Sequence, residues 1–413
     1  MQKLRTLVMS LTASVALGLS SNAAEACPFC SSQGQTLSGE LNQADFIVYG
    51  KLSNPQRDKN DFTRGTTDFT IETVVKPNEF LKGKTKLVIP RYVPIDPKDA
   101  GGKMLLFCAL FARQSDLAAA AIASTASLAT FSDNQIDAYR GESVKADSKL
   151  PAYLKGAIEV RGKDSFTKLR YFFDYLDSPD LVIGSDALNE FGYADYKEVR
   201  ELAEKLPADK VLKWIKDPNT SPSRFGLYGL FIGHCGKQSD AKLIRDLLTE
   251  PDRKYSSGLD GMLAGYTLLD KEAGWDYAMS LLKDPKNDFP VRYAGLKLMR
   301  FFWEFRPDVI SHEQVLDGMK ALVGQADMAD LPIEDLRKWN RWELTPFVLD
   351  FIKQESHNSI PIVRRSILRF CVAAPANQTA AKAYVEEVRK MDPDRVKFVE
   401  QTLQDEQPKP MNQ

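Results

Sequence analysis

The chain has 413 residues, of which 43% are hydrophobic and 27% charged, and its 55 Lys and Arg nearly balance 56 Asp and Glu. That is the composition of an ordinary globular protein, with enough chain for two or more structural units. A net charge of −1 gives no bulk electrostatic reason to bind nucleic acid or an anionic membrane.

Residues 1–26 read as a signal peptide. Lys3 and Arg5 supply the positive start, Leu7 to Leu19 a short apolar core, and Ala24-Glu25-Ala26 a small-residue cleavage site. The apolar stretch is too short and too interrupted by Ser, Thr and Gly to span a bilayer, and no later run is long enough, so the mature chain is expected to lack a transmembrane segment. The expected location is extracytoplasmic, either periplasmic or secreted. Cys27-Pro-Phe-Cys30 follows at once. The five cysteines are Cys27, Cys30, Cys108, Cys235 and Cys371. An exported protein can form disulfides, and an odd count leaves one thiol over. Pairing of Cys108 with Cys27 or Cys30 would staple the N-terminus to a strand; spacing does not choose between them.

From Asp45 to Cys108 the pattern is that of strands. Asp45–Leu52 is β-branched and aromatic, Ser53–Arg64 is a polar loop, and Thr67–Val74 alternates with Phe69, Ile71 and Thr73 on one side. Phe80 to Lys84 turns into Lys86–Pro90, and Gly101-Gly102 opens Lys103–Cys108. Strands with turn signals between them predict a small antiparallel barrel or sandwich. The alanine-rich segment Leu117–Ala129 reads as a buried piece, either a last strand or a first helix.

After Pro151 the period changes. Phe166, Leu169, Phe173 and Leu176 fall at helical spacing, as do Val199, Leu202, Ala203 and Leu206, and then Ile244, Leu247 and Leu248. Helices are expected to end at Asp217-Pro218, Glu250-Pro251 and Asp284-Pro285, which lie 33 and 34 residues apart. Pro222-x-Arg224, Pro290-x-Arg292 and Pro361-x-x-Arg364 each open an apolar helix, at separations of 68 and 71 residues. Proline suits a first helical turn because no backbone donor is needed there. A period in the thirties built from helix pairs predicts an α-solenoid. The expected division is therefore a β-domain at 27–150, a helical solenoid at 151–405 and a disordered tail at 406–413.

Two resemblances add to this reading. Ser165 to Leu403 resembles the HEAT-like repeat families in period and in its Pro-plus-Arg helix starts. The N-terminal part resembles the netrin-like domains of the tissue-inhibitor-of-metalloproteinases type. The residues that carry this are Cys27-Pro-Phe-Cys30, Ala44-Asp-Phe-Ile-Val-Tyr-Gly50-Lys, the alternating strand Phe69 to Val75, Phe80-Leu-Lys-Gly83, and Gly102-Lys-Met-Leu-Leu-Phe107-Cys108. The resemblance implies a five-stranded OB-type barrel whose N-terminal segment is pinned by disulfides. It also implies, for the inhibitors of that family, a free N-terminal cysteine that chelates the protease zinc. Cleavage after Ala26 would place Cys27 at that end. This chain departs from the inhibitors in having fewer cysteines and Cys-x-x-Cys rather than Cys-x-Cys.

No catalytic constellation is expected. Cys-Pro-x-Cys is the redox motif of thioredoxin-like enzymes, where a helix N-terminus lowers the first thiol's pKa. Here a removable leader precedes it and polar Ser31 to Thr36 follow it, so structural anchoring is the favoured reading and an oxidoreductase using Cys27 and Cys30 the alternative. The histidines are His234, His312 and His357, too few to pair with the cysteines in a zinc site. No Gly-x-Ser-x-Gly or phosphate-loop motif is present. No cofactor or metal is expected. Trp339 and Trp342, with Arg341 between them, are a possible binding patch for a partner, against the alternative of a buried seam between repeats. The function expected is non-enzymatic: binding another, unidentified extracytoplasmic protein through the helical surface. The alternative to that, besides thiol exchange, is metalloprotease inhibition through Cys27.

Overall fold

The structure, a computed structural model, describes residues 29, 35–59, 64–95, 102–111, 135–145, 147–250 and 257–406. The leader, Cys27, Cys30 and the segment Leu117–Ala129 lie outside the described residues. So does the tail beyond Glu406.

A short helix, α1 (Leu37–Glu40), comes first. Thr36 caps it by accepting the Gly39 N–H at 2.8 Å. Five strands follow: β1 (Phe46–Arg57), β2 (Gly65–Lys76), β3 (Lys86–Ile89), β4 (Lys103–Leu110) and β5 (Ile136–Val144). They form one antiparallel sheet in the order β3-β2-β1-β4-β5. The expected barrel is not closed: among the described residues no ladder joins β3 to β5, though Arg91 and Asp137 approach to 3.7 Å across that gap. The polar loop expected at Ser53–Arg64 is shorter than that. β1 runs on to Arg57 because a hairpin arm needs no apolar face once it extends past the core. A register shift between Ser53 and Gln56, with Asn54 at a φ of 50°, bends the arm there.

β1 explains why the sheet is buried on both faces. Phe46, Val48 and Leu52 join Phe69, Leu87, Leu106, Cys108 and Ile136 in one apolar cluster. Ile47 and Tyr49 join Leu105, Phe107 and Val144 in a second cluster that continues without a break into the helices. The β and helical parts therefore share a core, because period-two alternation delivers apolar groups to each face in turn.

The helical part begins with α2 (Leu150–Val160), α3 (Ser165–Phe173), α4 (Leu181–Gly192), α5 (Tyr196–Ala203) and α6 (Ala208–Lys216). It continues with α7 (Phe225–Cys235), α8 (Ala241–Leu248), α9 (Leu259–Leu269), α10 (Lys271–Lys283), α11 (Phe289–Glu304), α12 (His312–Val323) and α13 (Asp330–Lys338). Last come α14 (Thr345–Asp350), α15 (Glu355–Asn358), α16 (Pro361–Ala373), α17 (Thr379–Met391) and α18 (Pro393–Asp405). Aspartates stop and start these helices: Asp164, Asp180, Asp195 and Asp270 each accept a first-turn N–H through the side chain. α6 and α10 end just before Asp217-Pro218 and Asp284-Pro285, and Pro290 and Pro361 sit in the first turns of α11 and α16.

Packing repeats with the same period. α7 stacks on α9, α9 on α11, α13 on α16 and α16 on α18. Polar links span one period: Tyr153 Oη to Asp186 (33 residues, 2.8 Å), Arg300 to Asp335 (35 residues, 2.8 Å) and Arg369 to Glu334 (35 residues, 2.6 Å). α7 and α9 meet backbone to backbone; a Cβ added at Gly261 would lie 2.1 Å from the Gly226 carbonyl oxygen.

The N-terminal segment is held by the helical part. Phe29 is buried, its ring 4.9 Å from that of Phe301 on α11. Asp186 on α4 accepts the Leu37 N–H at 2.5 Å and the Ser38 hydroxyl at 2.7 Å, and Glu190 accepts the Thr36 hydroxyl at 2.5 Å. Burial pushes both carboxyls above the ordinary range, against the pull of those donors. Cys27 and Cys30, the expected partners of Cys108, lie outside the described residues. Cys108 is a free thiol, fully buried on the opposite face of the sheet from the cluster that holds Phe29, and burial pushes its pKa up to about 12.

Candidate functional site

The site is built from two helices one repeat apart. Trp303 closes α11 and Trp339 follows the last residue of α13. Their rings stack at 4.2 Å with planes 12° apart. The Ser311–Gln314 capping box sets the start of α12 and so places His312, whose ring stacks on Trp303 at 3.9 Å. His312 Nε2 lies 3.0 Å from the Trp303 carbonyl. That carbonyl can only accept, so Nε2 carries the proton. The guanidinium of Arg341 lies 5.5 Å from the Trp303 ring and its Nε donates to the Trp339 carbonyl at 2.9 Å.

An open cleft of about 540 Å³ runs beside this stack, lined by Arg300, Trp303, Glu304, Asp335, Lys338 and Trp339. Asp335 is buried and accepts from Arg300 Nε at 2.8 Å. Burial raises its pKa, and Arg300 works against that rise. Lys338 and Glu304 reach solvent at the rim. The cleft therefore offers half-buried indole edges between charges of both signs. Among the described residues no group of three His, Cys, Asp or Glu is arranged to hold a metal ion.

The structure divides the patch expected at Trp339, Arg341 and Trp342. Trp339 lines the cleft, and Arg341 lies beside it near the Trp303 ring. Trp342 turns away and packs on Phe370 at 5.1 Å, in a seam between repeats. The two tryptophans do not share a helix face, because α13 ends at Lys338 and Asn340 takes a φ of 58°. A left-handed residue after a helix is a common stop, and Asn tolerates it. Trp303, His312, Arg300, Glu304 and Asp335 were not singled out as site residues from the sequence. The signal was present: Trp303 and Trp339 are 36 residues apart, one period of the repeat.

The remaining candidates lie elsewhere. His357 is buried; its Nε2 meets the Val323 carbonyl at 2.9 Å and its Nδ1 the Ser356 hydroxyl at 2.9 Å. Cys371 is a buried free thiol and Cys235 a half-buried one, and burial pushes their pKa values up to about 12 and about 11. Cys27 and Cys30 lie outside the described residues. No described helix is long and apolar enough to cross a membrane.

His234 ends α7 with Nε2 3.1 Å from the Tyr196 hydroxyl. Burial, then Arg306 and Arg200, push its pKa down to about 4. A depressed imidazole stays neutral in the fold while the unfolded chain takes up the proton. Stability is therefore full above pH 6.5 and is lost as pH falls toward 4. Across that window the wild-type chain should lose about 3 kcal/mol more than His234→Gln, read from urea midpoints at each pH. Equal losses in the two proteins would show that His234 is not buried neutral.

Comparison of the chain with protein-family models, with curated proteins and with solved structures finds no match.

Proposed function

We propose that this is an exported, non-enzymatic binding protein whose helical part presents the Trp303–Trp339 cleft to another extracytoplasmic protein. The observation that carries the reading is the stack of His312, Trp303 and Trp339 along an open cleft with Arg300, Glu304 and Lys338 around it. Aromatic and arginine side chains, half-desolvated and rimmed by charge, are the composition of interface hot spots. Stacked helix pairs expose such surfaces at little cost to their cores, since each pair is buried by its neighbours. The links at 33 to 35 residues and the Pro-Arg helix starts support a HEAT-like description of this part.

The order β3-β2-β1-β4-β5 supports an OB- or netrin-type description of the sheet, since that barrel pairs its five strands in this cycle and is commonly part open. Its role here is a second contact module joined to the helices through the shared core. Export rests on the leader at residues 1–26 and accounts for a partner outside the cytoplasm.

A photo-crosslinking amino acid at Lys338 should capture one defined protein in the producing cell, and the same group at Lys242 should not. Trp339→Ala in the Lys338 background should lower the affinity for that protein about 30-fold. Identical crosslinks from the two positions, or capture that ignores Trp339→Ala, would overturn the reading.

A further inference from the structure

α16 and α18 pack side by side, and each opens with a proline, Pro361 and Pro393. Beside their first turns lies a second cleft, of about 330 Å³, lined by Pro361, Arg364, Arg365, Arg395, Phe398 and Val399. Three guanidinium groups line it and no carboxylate does. Among the described residues none of the three forms an ion pair, whereas the arginines nearby are matched. Arg337 meets Glu334 at 2.7 Å, Arg369 meets Glu334 at 2.6 Å and Arg389 meets Glu400 at 2.7 Å. Arg364 Nη1 donates to the Asn358 carbonyl at 2.8 Å, but its Nε is buried with no partner. A buried guanidinium N–H left without an acceptor is costly, and native structures seldom leave one so.

We propose that this cleft binds a phosphoryl group, carried by a soluble phosphate ester or by a lipid headgroup. Like charges held together in a cleft repel one another, and an anion between them removes that repulsion. Guanidinium forks match the oxygens of a phosphoryl group with paired N–H donors, and these charge-assisted bonds are the strong ones. A phosphoryl group presents more acceptor oxygens, in more directions, than a planar carboxylate, which suits three forks arriving from two helices. The partial positive charge at the starts of α16 and α18 adds to the attraction. It is reduced at α18, where Asp392 accepts the Arg395 N–H at 3.0 Å. Phe398, 55% exposed, forms an apolar wall with the Arg365 guanidinium 6.0 Å from its ring. That wall suits the carbon portion of an ester.

The test uses the full mature chain with two probes: glycerol 3-phosphate by calorimetry, and co-sedimentation with phosphatidylcholine vesicles that contain or lack phosphatidic acid. Arg365→Gln with Arg395→Gln should weaken binding about 100-fold, as expected for losing two charge-assisted contacts, and leave the thermal midpoint unchanged because both side chains reach solvent. Binding of glycerol 3-phosphate alone supports a soluble ester. Binding of phosphatidic acid vesicles, with no binding to phosphatidylcholine, supports a headgroup. The proposal is overturned if neither probe binds, or if the double variant binds as the wild type does.

Discussion

Gly261→Val should destabilise the helical part by about 3 kcal/mol or more. The seam between α7 and α9 allows no side chain. A Cβ at Gly261 would meet the Gly226 carbonyl oxygen at 2.1 Å, and one at Gly265 would meet the Gly229 oxygen at the same distance. The obstacles are main-chain atoms of a packed helix, so no rotamer change relieves the clash. The helices cannot part either, because α9 is also held by α8, α10 and α11, and α7 by α5 and α6. Gly162→Ala is the matched control. Nothing lies within 4 Å of a Cβ there, and its stability should stay within about 0.5 kcal/mol of wild type. Urea denaturation followed by far-ultraviolet circular dichroism reads both. A Gly261→Val midpoint equal to that of Gly162→Ala would mean that the two helices are not in backbone contact.

The second large effect is at Arg292, the arginine of the Pro290-x-Arg292 helix start. It is 4% exposed. Its Nε donates to the Asn287 carbonyl at 2.9 Å and its Nη1 to Gln325 Oε1 at 2.7 Å, while Gln325 Nε2 donates to the Leu282 carbonyl at 2.9 Å. One fork thus ties the loop before α11 to the loop after α12, one repeat on. Arg292→Met should cost about 3 kcal/mol, because Gln325 Oε1 is left buried, and the Asn287 carbonyl half-buried, without that donor. The ion pair with Asp327 is a different matter. Asp327 is 57% exposed and its attraction is screened. Asp327→Ala should therefore cost under about 1 kcal/mol, and Arg292→Lys should fail to restore stability because one ammonium does not reproduce the planar fork. If Asp327→Ala proved as damaging as Arg292→Met, the buried network would not be the source of the arginine's contribution.

These two positions show how far the residues can be read in advance. The proline-arginine starts were legible because a first helical turn tolerates proline. The reason for the arginine was not legible, since its acceptors lie 5 and 33 residues away. Period and apolar stripe sufficed for the helices: Leu169, Phe173, Leu176, Val199, Leu202 and Ile244 are all fully buried. Strand β5 was missed. Its burial is patchy, Ile136 and Val144 at its ends with Tyr139 and Arg140 between, so it lacks a clean alternation. Arg140 and Tyr139 instead reach Glu40, a link no local pattern announces.

The cleft was half visible. Trp339 and Arg341 stood out as a dense aromatic and basic cluster, but Trp342 came with them, and Asn340 separates their directions by one backbone angle. Trp303 was hidden inside an apolar run and acquires its meaning only from Trp339, 36 residues later.

What the sequence by itself determined is local: where helices start and stop, which face of each is apolar, and the period at which pairs recur. Capping, proline geometry and hydrophobic spacing act within a few residues, so a linear reading suffices for them. Which carboxylate meets which arginine, which tryptophans stack, that the sheet stays open, and that three arginines share one cleft without an acid were decided by the tertiary structure. Those outcomes depend on distances between residues a full repeat or more apart, and only the packing of one helix pair on the next sets them.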